Sequence, residues 1–265
     1  MFLVLGEKPS VAQALAEVLG AKKRGDGYLE GENCIVSWCL GHLAEYAGPE
    51  IYDERYKKWE FTDLPILPKT WELLIAKDKK EQFDVLKELL NRKDFEYVVN
   101  ACDAGREGEL IFKRVYDLSK SSLPVKRLWI SSMEEQAICN GFSNLKGGKV
   151  YERLCEAAVC RAKADWLVGM NATRAFTTTY YKRMVVGRVQ TPTLAMVVER
   201  QRRVENFEKE AYYQVELPVL DFFVTSEKIK KEEEADALVT MCEGNPIHIL
   251  SLIHISEPTR LDVIS

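Results

Sequence analysis

Three times in the first 145 residues a short apolar run ends abruptly and gives way to an amphipathic stretch. "MFLVLGE" precedes "KPSVAQALAEVLG", "FEYVVNACD" precedes "GREGELIFKRVYDLS", and "KRLWIS" precedes "SMEEQAICNGF". Strand-like runs alternating with helix-like stretches predict an α/β fold on a parallel, Rossmann-like sheet, because parallel neighbours need a crossover helix between them. "NCIVSWCLGHL" reads as a further strand running into a loop, and "KEQFDVLKELLNR" as a further amphipathic helix. In the first helix Ser10 and Gln13 have capping-box spacing, Val11, Leu15, Val18 and Leu19 share a face, and Gly20 closes it. "EIYDERYKKWEFTDLPILPKTWEL" reads as irregular, rich in aromatics and prolines.

The period changes after "NLKGGK", which reads as a hinge. "VYERLCEAAVCRAKADWLVGMNATRAFTTTYY" and "TPTLAMVVERQRRVENF" both read as helices, with Gly187 and Pro192 punctuating between them. "AYYQVELPVLDFFVTSEKI" alternates like the opening of a β-rich domain, and "EKIKKEEEADA" reads as a solvated turn and helix start. The expected division is therefore 1–147, 148–210 and 211–250. The last fifteen residues, "SLIHISEPTRLDVIS", neither continue a domain nor cap one. They resemble the translated read-through of a sequencing adapter, so 251–265 is expected to be a non-native tail. His248 and His254 then carry no weight, and His42, the remaining histidine, is expected to cap or pack.

Composition narrows the classes. With 265 residues, 46% hydrophobic and 29% charged, the chain has the profile of a soluble globular protein with a sizeable core. No apolar run approaches the roughly 18–20 residues of a membrane span. Glu7 and Lys8 interrupt the N-terminal run too early for a signal peptide. Seven cysteines without a C-x-x-C pair point to reduced thiols and a cytoplasmic setting. The net charge of −4 is unevenly spread. From Arg161 to Arg203 nine basic residues face two acids, a net of +7 that leaves −11 on the rest. A basic segment on an acidic body suits a phosphate-binding face beside an acidic metal site, and equally a solvated pair of helices.

Acids at the C-terminal edge of buried strands sit where α/β proteins keep metals and catalytic groups. If the strands ending at Glu7 and Asp103 are neighbours, Glu7, Asp103 and Glu107 converge, with Lys8 alongside. An oxygen-only set suits Mg²⁺, which keeps several waters and uses one or two carboxylates plus a substrate phosphate. Crowded carboxyls share protons, which makes Glu7 a candidate general acid. The competing reading is that acids in a first helical turn simply complement the helix dipole.

"LGEKPSVA", "WCLGHLAEYAGPEIYDERYKKW", "ACDAGREGELI", "RLWISSM", "ADWLVGMNATRAFT" and "VGRVQTPTLAMVVERQRRVENF" occur in that order. Together they closely resemble the N-terminal half of the type IA DNA topoisomerases, in particular the bacterial topoisomerase III group, over about Met1 to Leu250. The resemblance implies a TOPRIM domain, then a helical domain, then the start of a β-rich arch. Glu7 matches the family's acid/base and metal-ligand glutamate, and Lys8 the basic residue set to contact the scissile phosphate. Asp103 and Glu107 match the outer members of a D-x-D-x-E metal motif whose middle position is Gly105 here. One carboxylate fewer implies one tight Mg²⁺ site on Glu7 and Asp103, with Glu107 an outer or weak ligand and Glu109 mainly supporting the helix start.

The same resemblance implies single-stranded DNA as partner, bound by a monomer away from any membrane. Basic grooves with aromatic platforms grip such strands. "GRVQTP" is read as a loop along the DNA: Gly187, Arg188, Val189, Gln190, Thr191 and Pro192. Trp166 and Arg174 are placed on a neighbouring helix, Trp59 near the DNA gate, and Arg161 is a further contact. For Trp166 a core position between helices is the competing reading, and for Arg188 a surface ion pair. The family cuts one strand by attack of a tyrosine, in a Y-x-R-T-acid motif, on a backbone phosphate. No such motif occurs here, and Tyr180 and Tyr181 lack its context. The chain alone is therefore expected to bind DNA and Mg²⁺ weakly and not to relax supercoils. A different TOPRIM enzyme (primase or nuclease) and a non-catalytic single-strand-binding module are the alternatives.

Overall fold

A computed structural model describes residues 1–219 and 222–245; His248, His254 and the expected non-native tail lie outside the described residues. The chain opens with β1 (Phe2–Gly6), α1 (Pro9–Leu19), β2 (Lys23–Arg24), β3 (Tyr28–Glu30), β4 (Cys34–Trp38) and β5 (Ala44–Tyr46). A short α2 (Pro49–Tyr52) leads through 3-10 turns to β6 (Leu73–Ile75), α3 (Lys80–Leu90), β7 (Val98–Ala101) and α4 (Arg106–Ser119). Then come β8 (Val125–Arg127), α5 (Glu135–Ser143), β9 (Lys146–Gly147), the long α6 (Glu152–Tyr180) and α7 (Gln190–Glu205). β10 (Glu216–Val219), β11 (Phe222–Thr225) and α8 (Glu232–Cys242) follow.

β4, β1, β7 and β8 pair in parallel, in that spatial order, as the alternating runs require. β3 and β2 extend one edge antiparallel and β9 the other. Successive residues of a strand point to opposite faces, so β1 is apolar on both. Leu3 and Leu5 pack with Phe83, Leu86 and Leu90 of α3 and Ile111, Phe112 and Val115 of α4. Val4 packs with Ala12, Leu15 and Ala16 of α1 and Ile138 of α5. From β1 the chain goes first to β4 on one side, then to β7 on the other. The crevice between the C-terminal ends of β1 and β7 is thus the switch point where such sheets bind ligands.

Several local expectations shift. α1 begins at Pro9, with Lys8 as N-cap and no side-chain cap, so the Ser10–Gln13 capping box does not form. Proline is pre-organised for a first helical position, where its missing N–H costs nothing. Gly20, at φ 72°, ends that helix as expected. The "NLKGGK" hinge is instead β9 and a 3-10 turn, where Lys146 and Gly147 cover the open backbone of β8. Two strand pairs, β2–β3 and β5–β6, lie in segments too short to show a period.

The described residues form two units, one from Met1 to Met196 and one beginning at Val197. In the first, α6 packs along α4, and Asn171 on α6 both accepts from the Ile66 N–H at 2.6 Å and donates to its carbonyl at 3.0 Å. That clamp ties the proline-rich stretch to the helix. The second unit holds the antiparallel β10–β11 hairpin and α8.

Candidate functional site

β1 ends at Gly6 and β7 at Ala101, which are register partners, so Glu7 and the loop after β7 emerge side by side. The Asp103 N–H donates to Glu7 Oε2 at 3.3 Å. Lys8 Nζ stands 3.6 Å from Glu7 Oε1. Glu7 is only 7% exposed, whereas Lys8 and Asp103 are open to solvent. Among the described residues the Asp103 carboxylate has neither a hydrogen-bond nor an ion-pair partner. A buried carboxylate, a free one and an ammonium thus lie about one crevice.

What holds the Asp103 loop is a group that sequence reasoning passed over. Arg127, in β8, is 1% exposed. Its Nε donates to Glu109 Oε1 at 2.6 Å. Its Nη1 donates to the carbonyls of Asn100 (3.1 Å), Cys102 (2.6 Å) and Leu128 (2.7 Å), and its Nη2 to that of Asp103 (2.7 Å). Glu109, expected to complement the helix start, is therefore the buried counter-charge of Arg127, helped by Asn100 Nδ2 at 3.4 Å. An arginine inside the apolar run "KRLWIS" was the available signal, since a charge is seldom buried unless paired.

Glu107 goes elsewhere. His42 Nε2 lies 3.2 Å from its Oε2, and Arg161 Nη1 3.8 Å from its Oε1. Among the described residues no group of three or more His, Cys, Asp or Glu side chains is placed to hold a metal ion. Of the expected convergence of Glu7, Asp103 and Glu107, the contact present is that of the Asp103 backbone with Glu7, while Glu107 is drawn toward His42 and Arg161. His42, expected to cap or pack, contacts a charged residue of the motif instead. It lines a cavity of about 350 Å³ with Glu107, Arg114, Asp165 and Trp166.

The candidate DNA contacts fall into three groups. Trp166 is packed: its indole N–H donates to the Ala47 carbonyl at 3.1 Å, and its ring meets Trp71 and Tyr52 edge-on at 5.3 and 6.1 Å. Arg174 is 4% exposed, donates to the Tyr56 carbonyl at 2.9 Å and lies over the Trp59 ring at 5.1 Å. Burial pushes its guanidinium below the usual arginine range, against the opposing pull of Glu50 and Asp63. Trp59 itself stays open to solvent beside Thr177, Lys182 and Arg183.

Arg188 and Arg161 flank Asp165. Arg188 forms a two-pronged pair with it, through Nε to Oδ1 and Nη2 to Oδ2, and holds its carboxyl below the usual range. Arg161 Nε is 3.8 Å from Asp165 and has no hydrogen-bond partner among the described residues. "GRVQTP" is a loop only as far as Val189; Gln190, Thr191 and Pro192 form the first turn of α7. The join is tied reciprocally, the Gly187 N–H to Thr191 Oγ1 at 3.0 Å and the Thr191 N–H to the Gly187 carbonyl at 3.2 Å. Pro192 fits that turn because proline is tolerated in the first turn of a helix, where its fixed φ suits the helical backbone. Tyr180 ends α6, stacked on Phe176, and Tyr181 follows at φ 51°.

Comparison with known proteins gives this geometry a context. Residues 2–133 match the Toprim domain family and residues 149–258 the DNA topoisomerase family. DNA topoisomerase 3 of Bacillus cereus is 48% identical over 219 residues, covering 83% of this chain and 30% of that protein. The Bacillus licheniformis enzyme of the same name is 45% identical over 257 residues, covering 94% and 35%. This chain therefore spans about a third of the length of these relatives and corresponds to their N-terminal part. Full-length topoisomerase I from Thermotoga maritima has a similar fold, with a TM-score of 0.54 at 19% identity over 89% of this chain and 37% of that one. A Toprim domain whose switch-point crevice carries Glu7, Lys8 and Asp103, followed by a topoisomerase core segment, places this chain in the type IA DNA topoisomerase family, on the topoisomerase III side.

Proposed function

We propose that the chain supplies the metal-holding and strand-guiding part of an enzyme that cuts, passes and reseals single DNA strands. The observation that carries this reading is the Glu7–Asp103 contact at the β1–β7 crevice, with Lys8 beside it. Glu7 beside the Asp103 backbone, with the Asp103 carboxylate free of a protein partner among the described residues, fits Mg²⁺, which completes its shell with water and substrate phosphate. When bound, Mg²⁺ would neutralise charge on a phosphodiester held there. Lys8 would draw a phosphate oxygen towards the crevice. Glu7, sheltered and next to that phosphate, would hold or release the proton of the leaving 3′-oxygen. The attacking tyrosine of the family mechanism has no counterpart motif in this sequence, so no cleavage step is assigned to this chain alone.

Trp59 and the solvent-accessible basic residues Arg161, Lys182, Arg183 and Arg188 would then carry the strand, Trp59 by stacking and the basic residues by phosphate contact. Fluorescence anisotropy with a labelled single-stranded oligonucleotide tests this. Trp59→Ala is expected to weaken binding about tenfold, the lower half of the roughly 1–3 kcal/mol range for stacking. Arg188→Ala is expected to lower the salt slope by about one phosphate contact. Affinity indifferent to both would remove this face from the account. Nicking of DNA by the purified chain with Mg²⁺, without covalent attachment, would point instead to a TOPRIM nuclease.

Gly105 offers a gain-of-function check. Its backbone is extended, with φ −178°, and a Cβ there would meet nothing within 4 Å. Gly105→Asp should therefore be accommodated and add a carboxylate beside Asp103. Calorimetry is expected to show a second, weaker Mg²⁺ equivalent in that variant, and unchanged binding would mean that the position faces away from the metal.

A further inference from the structure

The geometry points to His42 as a positioning residue that withholds Glu107 from the metal, an inference resting on the reading of Glu7 and Asp103 as the metal site. Arg114, on α4, is buried; its Nη1 donates to the Ala44 carbonyl at 2.9 Å and stands 3.4 Å from His42 Nδ1, and its guanidinium lies over the Tyr46 ring at 4.8 Å. A guanidinium can only donate, so Nδ1 must accept and the ring proton must sit on Nε2. That nitrogen is the one 3.2 Å from Glu107 Oε2, so His42 donates to the carboxylate. Arg161 stands off its other oxygen at 3.8 Å.

Both oxygens of Glu107 are thereby drawn into the pocket between α4 and α6. Arg114 is fixed by a backbone carbonyl and a ring, so the imidazole is oriented by a rigid support. The clasp explains why Glu107 does not join Glu7 and Asp103 in the crevice, where among the described residues no group of three carboxylates is placed to hold a metal ion. Opening it would let Glu107, in the first turn of α4, turn towards Asp103, four residues before it in the chain. His42 thus sets how many protein ligands the metal site has before DNA arrives.

Mn²⁺ titration of the full chain, followed by the electron paramagnetic resonance signal of free Mn²⁺, tests this. His42→Leu, which cannot hold Glu107, should tighten Mn²⁺ binding about tenfold or more, the low end of the range for loss of one hydrogen bond to a charged group. His42→Gln, whose amide can accept from Arg114 and donate to Glu107, should retain wild-type affinity. Glu107→Gln should change the wild-type affinity less than about twofold and cancel the gain in the His42→Leu background, the non-additivity expected of a coupled pair. In the wild-type protein, ¹⁵N shifts of the His42 ring should show the Nε2–H tautomer.

Wild-type affinity in His42→Leu, equal weakening by Glu107→Gln in both backgrounds, or an Nδ1–H tautomer would each overturn the clasp. If Glu7→Gln abolishes Mn²⁺ binding while the His42 variants change nothing, the clasp alone fails. If Glu7→Gln and Asp103→Asn both leave binding intact, the metal reading fails and the clasp with it.

Discussion

Arg127→Met is expected to destabilise the first unit by about 3–5 kcal/mol, the cost of removing one partner from a buried ion pair. Glu109 would be left as a buried charge without its ion-pair partner, and the carbonyls of Asn100, Cys102, Asp103 and Leu128 would lose their shared donor. Chemical denaturation followed by tryptophan fluorescence reads this directly. Much of the loss should return in the double variant Arg127→Met, Glu109→Leu, since replacing both members of a buried pair by apolar groups is often close to neutral. Restored stability need not restore metal affinity, because the Asp103 carbonyl would still lack its anchor. A cost below about 1 kcal/mol, the range of an exposed ion pair, would contradict the buried network.

Gly108→Ala should damage the same loop from the other side. A Cβ at this position would lie 2.1 Å from the Asp103 carbonyl oxygen and 2.9 Å from its nitrogen. Both are backbone atoms, and the carbonyl is fixed by Arg127 at 2.7 Å. The only relief is to displace the Asp103 loop itself. Divalent-ion affinity is expected to fall more than about tenfold for a stability cost of about 1–3 kcal/mol, the usual range for overpacking. Gly105→Ala, three residues earlier and in open space, should change neither. Calorimetric titration of the two alanine variants side by side separates a specific clash from a general loss of glycine.

These two variants also mark what the sequence could and could not disclose. The parallel core was legible because β1 and β7 are largely apolar runs, each followed by an amphipathic helix. Glu7 and Asp103 were legible as neighbours because both end such runs. The edge strands β2, β3, β5, β6 and β9 were not, since pairs of two or three residues have no period and are fixed by their neighbours. Arg127 escaped because its partners are carbonyls and a glutamate eighteen positions away, contacts that no local pattern encodes.

The DNA-facing residues divided along a similar line. Trp166 and Arg174 lie in a helix with many aromatic neighbours, and their burial depends on Tyr52, Tyr56, Trp59 and Trp71, contributed by a stretch of short helical turns and loops. Arg188 was assigned from its loop, but its pairing with Asp165 needed the return of 183–187 along α6 to be seen. That return is held by Thr173, whose Oγ1 accepts from the Val186 N–H at 2.9 Å. His42 was set aside as packing because its partner Glu107 is 65 positions distant.

The central claim is that Glu7 and Asp103 together form a divalent-metal site. Crystals of the chain soaked in Mn²⁺ and measured at a wavelength where manganese scatters anomalously would locate the ion directly. The account predicts one strong peak within about 2.0–2.4 Å of a carboxylate oxygen from each residue, the distance range of small divalent ions to oxygen ligands, and its loss in Asp103→Asn. A peak at another site, or a peak beside Glu7 that survives Asp103→Asn, would contradict it.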